Sequence, residues 1–418
     1  MLKVRISIIF SIICLFAVCS CGADRTIENK IQEVLDKGIR EYNVRGVSAA
    51  VIFPDHKIWR GVSGISHNTV AMKPDMLFAI GSITKTFVAT LALKLVEEGT
   101  LSLDDPLSKW LPSYSHIDSA VTIRQLLNHT SGIYMFWSNQ KIWDDLKKDR
   151  TKIWTPEEVL SYIREPYFPP GKGYRYSNTN YLLMAMIIEK VTDSNLSTEF
   201  REQFWQPLAI ENAYLSIQEK IPNNQAHVFG DNFNNDGSVS DLTFLPRASH
   251  ESITFGSAGL FMTAEDLARW CYALFEGQIL NQKSMNEMLD MSKNNYGLGV
   301  GRFGKSMGYG KKVIGHSGAN IGTSAYMVHL PDYHFSVVVM INGFDHDCSE
   351  DITGKITGNI LRELDAISII PYLYYTFYPW GLIIVCAIAV WTIVIVFHIR
   401  KKKLLQHNET NFSAKVNT

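Results

Sequence analysis

Two residues with catalytic potential, Ser82 and Lys85, stand three apart in the segment Phe78–Phe87. On one helix such residues share a face, with Cβ atoms roughly 5–6 Å apart. A serine hydroxyl becomes a nucleophile at neutral pH only when a base lies within hydrogen-bond distance. Lys85 can be that base if its amine is deprotonated, which burial and a second nearby cation would both favour. The first backbone N–H groups of the helix could also help to bind an oxyanion.

This spacing is weak evidence by itself, because Ser-x-x-Lys occurs by chance in many chains of this length. Ser82 could simply cap a helix, and Lys85 could be a solvated lysine on its surface. The apolar residues Phe87, Leu91 and Leu95 recur at helical spacing. The pattern therefore predicts a helix from Ser82 to Leu95 and leaves its chemistry to be decided by the rest of the chain.

The composition is that of an ordinary globular protein with room for a large core. The chain has 418 residues, of which 46% are hydrophobic and 19% charged, and its formal net charge is -1. A net charge so close to zero gives no reason to expect a nucleic-acid partner. The single basic cluster, residues 400–403, has a membrane explanation.

The cysteines do not indicate a metal site or a disulfide scaffold. Of the six, four lie near the N-terminus or in a C-terminal apolar run, and only Cys271 and Cys348 belong to the globular part. The chain has no CxxC pair and no Cys/His cluster at metal-ligand spacing. Cys271 and Cys348 could pair if they lie close in space, but two buried thiols are the simpler interpretation. We expect no cofactor and no metal.

The first 21 residues have the pattern of a signal peptide. Lys3 and Arg5 precede a mostly apolar stretch, Ile6–Val18, that is short for a membrane span. The following run, Val18–Gly22, resembles a bacterial lipobox, which would make Cys21 a lipidated first residue. Ordinary cleavage near the same point is the alternative.

Residues 380–399 predict a transmembrane helix. The stretch from Trp380 to Phe397 has no charged residue, and about 20 such residues span a bilayer. Tyrosines precede it and, with Trp380, crowd this end as in an interfacial aromatic belt, and Arg400–Lys403 follow it on the expected cytoplasmic side. We therefore expect residues 23–366 to form an extracytoplasmic domain and residues 400–418 a cytoplasmic tail. A buried core helix is the alternative.

The elements predicted within residues 23–366 favour one α/β domain. A helix, Thr26–Tyr42, leads into a hairpin of two strands, Val47–Phe53 and Lys57–Gly64. Four more strands are predicted near the other end of the domain: Tyr296–Phe303, Lys312–Gly315, Ser324–Leu330 and Phe335–Ile341. Helices lie between, including two whose first residues follow the capping residues Thr122 and Thr263. This order suggests one sheet closed by the first and last segments, with an all-helical insertion.

Five short motifs follow one another in an order that is more informative than any one of them. They are Ser82-Ile83-Thr84-Lys85, Leu126-Leu127-Asn128-His129-Thr130-Ser131-Gly132, Tyr176-Ser177-Asn178, Gly256-Ser257-Ala258-Gly259 and His316-Ser317-Gly318. Over residues 33–364 the chain thereby resembles the serine β-lactamase and penicillin-binding-protein superfamily. Within it, the resemblance is to the class C β-lactamase, D,D-carboxypeptidase and esterase branch. It implies a β-lactamase/transpeptidase-like α/β fold, an antiparallel sheet flanked by helices plus an all-helical insertion domain.

By position, the resemblance assigns three catalytic residues. Ser82 matches the acylated nucleophile, Lys85 the neighbouring base or proton relay, and Tyr176 the family's catalytic tyrosine. A phenol is a poor base alone, but a nearby lysine cation would favour its anion enough for it to shuttle a proton. A buried core tyrosine is the alternative for Tyr176. We interpret His129 and Thr130 as turn and capping residues.

The resemblance also assigns substrate-binding and oxyanion positions. Asn178 and His316 match substrate-binding residues, although His316 could be a strand-end histidine without a catalytic role. The N–H groups of Ala319 and Ser82 would donate to the developing oxyanion, and the loss of one such donor typically costs about 3–4 kcal/mol of barrier. Gly318 leaves room for the substrate, because a side chain there would fill its space.

One departure from the family pattern limits the substrates that we expect. Class C β-lactamases carry lysine where this chain has His316, and histidine there is similar to some D,D-peptidases. Efficient β-lactam hydrolysis is therefore doubtful, although slow acylation by β-lactams needs only Ser82 and its base.

The expected function is a serine hydrolase of the bacterial cell membrane, periplasmic or at the cell surface, that forms an acyl-enzyme at Ser82. Its substrate would be a small molecule or peptide with an amide or ester bond. A D-amino-acid peptide, such as one from peptidoglycan, is the favoured one, and membrane lipid would contact the C-terminal helix. The alternatives are an esterase, a weak β-lactamase, or a non-catalytic protein that binds penicillin or peptidoglycan.

Overall fold

The computed structural model describes residues 27–231, 239–343 and 351–365. The chain divides into two compact units, residues 1–363 and 364–418. All the elements named here belong to the first unit, apart from the last two residues of the final helix.

Several predicted features lie outside the described residues. These are the signal peptide (1–21), the transmembrane helix (380–399), the cytoplasmic tail (400–418) and Cys348. In the part of the chain that is described, no helix has the length and apolar character needed to cross a membrane.

The chain forms twelve strands and eleven α-helices within the described ranges. The strands are β1 Gly46–Ile52, β2 Ile58–His67, β3 Val70–Ala71, β4 Phe78–Ala79, β5 Ala213–Leu215, β6 Phe229–Asp231, β7 Val239–Asp241, β8 Leu260–Met262, β9 Gly301–Arg302, β10 Ile314–Asn320, β11 Thr323–Leu330 and β12 Phe335–Asn342. The helices are α1 27–42, α2 Thr84–Glu97, α3 Ile123–Leu127, α4 Gln140–Lys148, α5 Pro156–Leu160, α6 Asn178–Thr192, α7 Leu196–Phe200, α8 Ala248–Ile253, α9 Ala264–Phe275, α10 Gln282–Met288 and α11 351–365.

A seven-stranded antiparallel sheet, in the order β3-β2-β1-β12-β11-β10-β9, forms the centre of the fold. Strand β1 pairs with β12 along its whole length, from Gly46 opposite Asn342 to Ile52 opposite Ser336. The first and last strands of the domain therefore meet in the middle of one sheet, and the predicted closure by the two terminal segments is confirmed.

Helices cover both faces of this sheet, because its central strands β1 and β12 are buried at every position. Val338 and Met340 belong to the main apolar core together with Leu267 of α9. The alternating residues Val337 and Val339 are buried outside that core. Since successive side chains of a strand point to opposite faces, the second face is covered separately. Gln32 of α1 donates to Val62 O of β2, and Thr353 of α11 donates to Ser324 of β11.

The predicted antiparallel α/β architecture is confirmed, and the elements between β4 and β5 are all helical, as expected for the predicted insertion. The sequence did not reveal two small sheets. Between β3 and β9 the chain also forms a three-stranded sheet, β4-β8-β5, and a two-stranded one, β6-β7. Strand β8 pairs with both β4 and β5, at Phe78 opposite Met262 and Leu215 opposite Leu260. The small sheet joins the segment before Ser82 to the segment after the Gly256–Gly259 motif.

The caps were predictable from the sequence, whereas some element boundaries were not. Thr122 and Thr263 cap α3 and α9 with their side chains, as predicted. The helix that Thr122 begins is short and ends at Leu127. Strand β10 continues to Asn320, five residues beyond its predicted end, whereas only Gly301–Arg302 of the predicted strand 296–303 is a strand.

The predicted helix start at Ser82 is also displaced. Ser82 lies in a single 3₁₀ turn, Gly81–Ile83, and the α-helix begins at Thr84. Gly81 has φ +54°, a left-handed conformation that favours glycine. The turn places Ser82 at the edge of β10, where Gly318 lies against the backbone of Ile80 and Ser82.

We predict that Gly318→Ala destabilises the protein. A Cβ at this position would lie 2.1 Å from the Ile80 carbonyl oxygen and 2.8 Å from the Ser82 nitrogen, both of them backbone atoms that cannot turn away. Overpacking of this kind typically costs about 1–3 kcal/mol. Thermal melting should show a midpoint several degrees lower than that of the wild type. The control is Gly304→Ala, whose Cβ would meet only Ser306 Oγ at 3.7 Å; equal melting of both variants contradicts the prediction.

Candidate active site

Ser82 and Lys85 face each other at the start of α2. The Lys85 Nζ lies 3.0 Å from the Ser82 Oγ. Lys85 is fully buried, whereas Ser82 is partly exposed. The hydroxyl is therefore open to a ligand on one side and in hydrogen-bond contact with an amine on the other. This is the arrangement that a serine nucleophile and its base require.

The loop after α8 holds the amine in place. Lys85 Nζ donates a 2.8 Å hydrogen bond to the carbonyl oxygen of Ser257. The Ser257 side chain is turned away and donates to Thr254 O. The Gly256–Gly259 motif thus contributes a backbone carbonyl to the site, a role that the sequence analysis missed because carbonyl groups leave no trace in residue types.

Tyr176 lies in the same pocket. Lys85 Nζ is 4.9 Å from the centre of the Tyr176 ring, and the ring is partly exposed. The three residues to which the sequence analysis assigned catalysis are therefore brought together, although Tyr176 is distant from the other two in the chain. Their catalytic roles stay predictions.

His129 positions the segment that carries Tyr176. Its backbone has φ +59°, so the predicted turn role is correct. In addition, its Nδ1 accepts a 3.2 Å hydrogen bond from the backbone N–H of Ser177, and its ring lies 4.3 Å from the Tyr176 ring. Because Nδ1 accepts, the ring is neutral with its proton on Nε2. The motif around His129 was recognisable from sequence, but this contact was not.

Asn178 begins α6 beside the pocket. Its backbone N–H contacts Met135 Sδ at 3.0 Å, and the residue is 9% exposed. Its side-chain Oδ1 is buried and has no hydrogen-bond partner within the described ranges. An amide with an unused acceptor at the edge of the cleft is consistent with the predicted substrate-binding role.

The outer edge of β10 directs backbone groups towards Ser82. Strands β10 and β11 are joined by a two-residue turn between Asn320 and Thr323. In a hairpin of this kind the two residues that flank the turn are hydrogen-bonded to each other, and such pairs alternate along the strands. The backbone N–H and C=O groups of the odd-numbered residues of β10 therefore point to the opposite edge of the strand. The odd-numbered Val313, just before β10, follows the same pattern, because its carbonyl oxygen accepts from Phe303 N–H on that edge. The N–H of Ala319 consequently points away from β11.

That N–H faces the turn that carries Ser82. A Cβ built on Gly81 would lie 2.7 Å from the Ala319 nitrogen, and one built on Gly318 would lie 2.8 Å from the Ser82 nitrogen. The two backbone segments are thus in contact. The Ala319 and Ser82 N–H groups, predicted to bind an oxyanion, lie on the two sides of this contact.

His316 is buried, and both of its ring nitrogens bond within the protein. Nδ1 donates to the Ser317 carbonyl, since a carbonyl oxygen can only accept. Nε2 lies 2.9 Å from the Tyr296 hydroxyl. Burial, followed by the positive charge of Lys85, lowers the pKa of His316 to about 3. The ring is therefore neutral at pH 7, and Nε2 accepts from Tyr296, a residue that the sequence analysis did not select.

The described residues give little support for metal binding or for a reactive cysteine. Within the described ranges, no group of three His, Cys, Asp or Glu side chains could hold a metal ion. Cys271 is a free, buried thiol whose pKa burial raises to about 12, as expected for an inert core residue.

The beta-lactamase family model matches residues 24–354 of this chain. Penicillin-binding protein 4* of Bacillus subtilis is 26% identical over 289 residues, 65% of this chain and 62% of that protein. The D-aminopeptidase of Brucella anthropi is 26% identical over 314 residues, 72% of this chain and 57% of that protein. The chain thus matches about three fifths of the length of these curated relatives.

A solved structure has the same fold. The D-amino acid amidase from Ochrobactrum anthropi SV3, complexed with L-phenylalanine amide, superimposes with a TM-score of 0.72 at 26% identity. The match covers 82% of this chain and 99% of that one.

We predict that the buried histidines of the site make the protein less stable in acid. Burial lowers the pKa of His316 to about 3 and that of His129 well below its ordinary value. The unfolded chain, with histidine pKa values near 6.5, therefore binds more protons between these limits. Stability should be fully present above about pH 6.5 and decrease below it, by up to about 1.4 kcal/mol per pH unit for each histidine.

The test compares melting temperatures at pH 7 and pH 5. His129→Asn should lose less on acidification than the wild type, since asparagine tolerates the left-handed backbone and does not titrate there. His56→Asn is the matched control, because His56 has φ +67° and is exposed; it should lose as much as the wild type. An unchanged acid loss in His129→Asn refutes the prediction.

The family assignment depends on the range of the match and not on any single relative. The family model spans most of the chain and contains all five motifs, from Ser82 to Gly318. The predicted relationship is confirmed: the chain belongs to the beta-lactamase family of serine hydrolases, in the serine β-lactamase and penicillin-binding-protein superfamily.

Proposed function

We propose that this protein is a membrane-tethered, extracytoplasmic hydrolase that cleaves amides of D-amino acids through an acyl-enzyme at Ser82. The observation that carries the proposal is the contact of a partly exposed serine hydroxyl with a fully buried lysine amine, at 3.0 Å. Burial disfavours the charged form of an amine, so this pair suits proton transfer from serine to lysine.

Acylation would proceed through the groups that meet at this contact. Lys85 acts as the base after its resting ammonium group has released a proton to water. As Ser82 Oγ forms a bond to the substrate carbonyl carbon, its proton passes to this deprotonated amine. The carbonyl oxygen takes the negative charge, and the N–H groups of Ser82 and Ala319 donate to it. Such donors are effective because they are already oriented before the charge forms.

Release of the leaving group needs a proton on its nitrogen. Tyr176, whose ring lies beside the Lys85 amine, would supply that proton and recover one through Lys85. The tetrahedral intermediate then collapses to the ester of Ser82, and the amine leaves. Water attacks this ester in the second half of the reaction, with the same groups taking its proton and returning one to Ser82 Oγ.

The comparisons favour the D-amino acid amide over other acyl donors. Two of the similar proteins are named D-aminopeptidase and D-amino acid amidase. Both names indicate an amide bond next to a D-centre. A D-amino-acid peptide of the cell wall contains the same kind of bond and is the larger substrate that this site would accept.

The neutral His316 supports the same choice. An imidazole whose two nitrogens bond to Ser317 O and Tyr296 offers no positive charge to a ligand. β-Lactams and C-terminal D-alanine peptides carry a carboxylate next to the bond that is cut, and a lysine at this position could pair with it. An uncharged amide makes no such demand, so we place β-lactams second.

The location of the protein is proposed from the sequence ends. Residues 1–21 have signal-peptide character, and residues 380–399 form an uncharged apolar run followed by a basic cluster. With this topology the hydrolase domain lies outside the cytoplasm, where cell-wall peptides and their D-amino-acid products are found.

We predict that Ser82→Ala abolishes both covalent labelling and hydrolysis. The full-length protein in detergent would be treated with a fluorescent fluorophosphonate, and ammonia release from D- and L-phenylalaninamide would be measured. The wild type should be labelled and should prefer the D-amide, because the proposed nucleophile is present. Ser108→Ala is the matched control, since Ser108 is the exposed middle residue of another 3₁₀ turn, Leu107–Lys109; it should behave as the wild type.

The alternatives give different results in the same assays. Turnover of nitrocefin or a p-nitrophenyl ester but not of the D-amide would support a β-lactamase or an esterase. Labelling by a fluorescent penicillin without turnover of any substrate would support a binding protein. Equal turnover by Ser82→Ala and the wild type would refute the acyl-enzyme.

We predict that residues 380–399 anchor the protein in the membrane. A chain ending at residue 366 should appear in the soluble fraction, because it lacks the apolar run, whereas the full-length chain should resist extraction by alkaline carbonate. Removal of residues 404–418 alone is the control and should leave the protein in the membrane. Extraction of the full-length chain by carbonate would contradict the anchor.

A further inference from the structure

Tyr296 contacts both Tyr176 and His316 beside the Ser82 pocket, although it lies in none of the five motifs. It follows α10 and forms an isolated bridge with Gly301 at the start of β9. Its ring stands perpendicular to that of Tyr176, 6.1 Å away at 86°, and 5.6 Å from that of His316. Its hydroxyl is 2.9 Å from His316 Nε2. The side chain therefore contacts a residue of the predicted catalytic set and a residue of β10 at once.

Backbone hydrogen bonds on both sides of Tyr296 fix the position of this residue. Gly297 N donates to Val300 O, and Arg302 N donates to Asn295 O. These bonds close a tight turn on both sides of the residue. The tyrosine is partly exposed, so burial in an apolar core does not account for its position.

The hydrogen bonds of His316 fix one arrangement of its ring. Nδ1–H donates to the Ser317 carbonyl, which leaves Nε2 with only a lone pair. Tyr296 supplies the donor that this lone pair needs. In the other tautomer Nε2–H could still donate to the Tyr296 hydroxyl oxygen, but the Ser317 carbonyl would lose its donor and face the lone pair of Nδ1. A buried polar group that loses its partner destabilises the state in which it is left, because no water replaces the bond.

The Ser317 carbonyl belongs to the strand edge that faces Ser82. Ser317 and Ala319 are odd-numbered residues of β10, so the carbonyl of one and the N–H of the other lie on the same edge. A carbonyl held by Nδ1 restrains the rotation of this edge, and hence the direction of the Ala319 N–H. We propose that Tyr296 is a positioning residue: by donating to His316 Nε2 it fixes the Nδ1–H tautomer, which holds the oxyanion-binding edge of β10 towards Ser82.

The inference depends on the proposed acyl transfer at Ser82, and its test is chosen to separate the two. The test uses the full-length protein in detergent and measures the rate constant and the affinity with which a fluorophosphonate labels Ser82. This reagent builds negative charge on a phosphoryl oxygen at the oxyanion site and needs no knowledge of the natural substrate. A wild type that is not labelled contradicts the proposed function.

Tyr296→Phe should lower the labelling rate constant about tenfold and change the affinity less than about twofold. Tyr174→Phe is the matched control, because Tyr174 is 40% exposed, lies 6.2 Å from the Tyr296 ring and is not bonded to His316. It should label as the wild type does. Equal labelling by Tyr296→Phe and the wild type overturns the proposal.

A double-mutant cycle separates positioning through His316 from a general structural effect. If Tyr296 acts through the imidazole, Tyr296→Phe should have no further effect in a His316→Gln background. The same tenfold loss in both backgrounds overturns the proposal.

The pH profile provides a second readout. A hydrogen-bond donor to Nε2 stabilises the neutral ring, so loss of this donor should raise the pKa of His316. The acid limb of the pH profile, where the labelling rate falls as the pH decreases, should then move to higher pH. Lys85 opposes this change through its charge, and the side chains of Tyr176, Tyr181 and His129 also pack in this ring cluster. The acid limb of Tyr174→Phe should stay with the wild type, and an unshifted limb in Tyr296→Phe counts against the proposal.

The wild type alone provides a test if Tyr296→Phe does not fold. Nitrogen chemical shifts of ¹⁵N-histidine-labelled protein distinguish the two tautomers, and comparison with His316→Gln assigns the signals. The Nδ1–H tautomer is expected at neutral pH. The Nε2–H tautomer in the wild type overturns the proposal, whatever the activity of the enzyme.

Discussion

The site depends on an amine that is kept out of water. Moving an ammonium group from water into a protein costs several kcal/mol even after relaxation, and Lys85 is completely buried. The fold compensates with oxygen atoms from two segments: Ser82 Oγ at 3.0 Å and Ser257 O at 2.8 Å. Because Ser257 is 172 residues beyond Lys85 in the chain, this environment exists only when the loop after α8 has docked on α2. Folding and the chemistry of the serine are therefore coupled through one side chain.

A second constraint is the close approach of two backbones. The edge of β10 can reach the Ser82 turn only because Gly81 and Gly318 have no side chain, as the distances of 2.1–2.8 Å for added Cβ atoms show. A strand held on one side by β11 is a rigid support for such a contact, since its hydrogen bonds to that strand fix its edge. Hydrogen-bond donors on this edge are thus oriented before any ligand arrives, and preorganised donors are the most effective stabilisers of a developing charge.

The sequence contained the local features of this fold but not its long-range contacts. The β1–β2 hairpin, the caps at Thr122 and Thr263 and the order of the motifs follow from patterns within a few residues. The carbonyl of Ser257, the hydrogen bond of His129 to the Tyr176 segment and the contact of Tyr296 with His316 depend on packing between distant segments. Backbone carbonyls and hydrogen bonds to backbone N–H groups impose no residue type, so no pattern records them. The two small sheets were missed for a different reason: strands of two or three residues, such as Phe78–Ala79, are too short to show alternation.

His316 shows how one substitution in a motif changes the physics of the site. A lysine ammonium at this position would be a donor with a fixed positive charge, and the nearby charge of Lys85 would oppose it. An imidazole avoids that repulsion by remaining neutral, and its pKa of about 3 reflects burial first and Lys85 second. Neutrality also converts the residue from a group that can bind a carboxylate into one that can accept a hydrogen bond. Tyr296 makes use of this acceptor, so the charge lost from the leaving-group side of the cleft is replaced by a hydrogen-bonded link between β10 and the turn after α10.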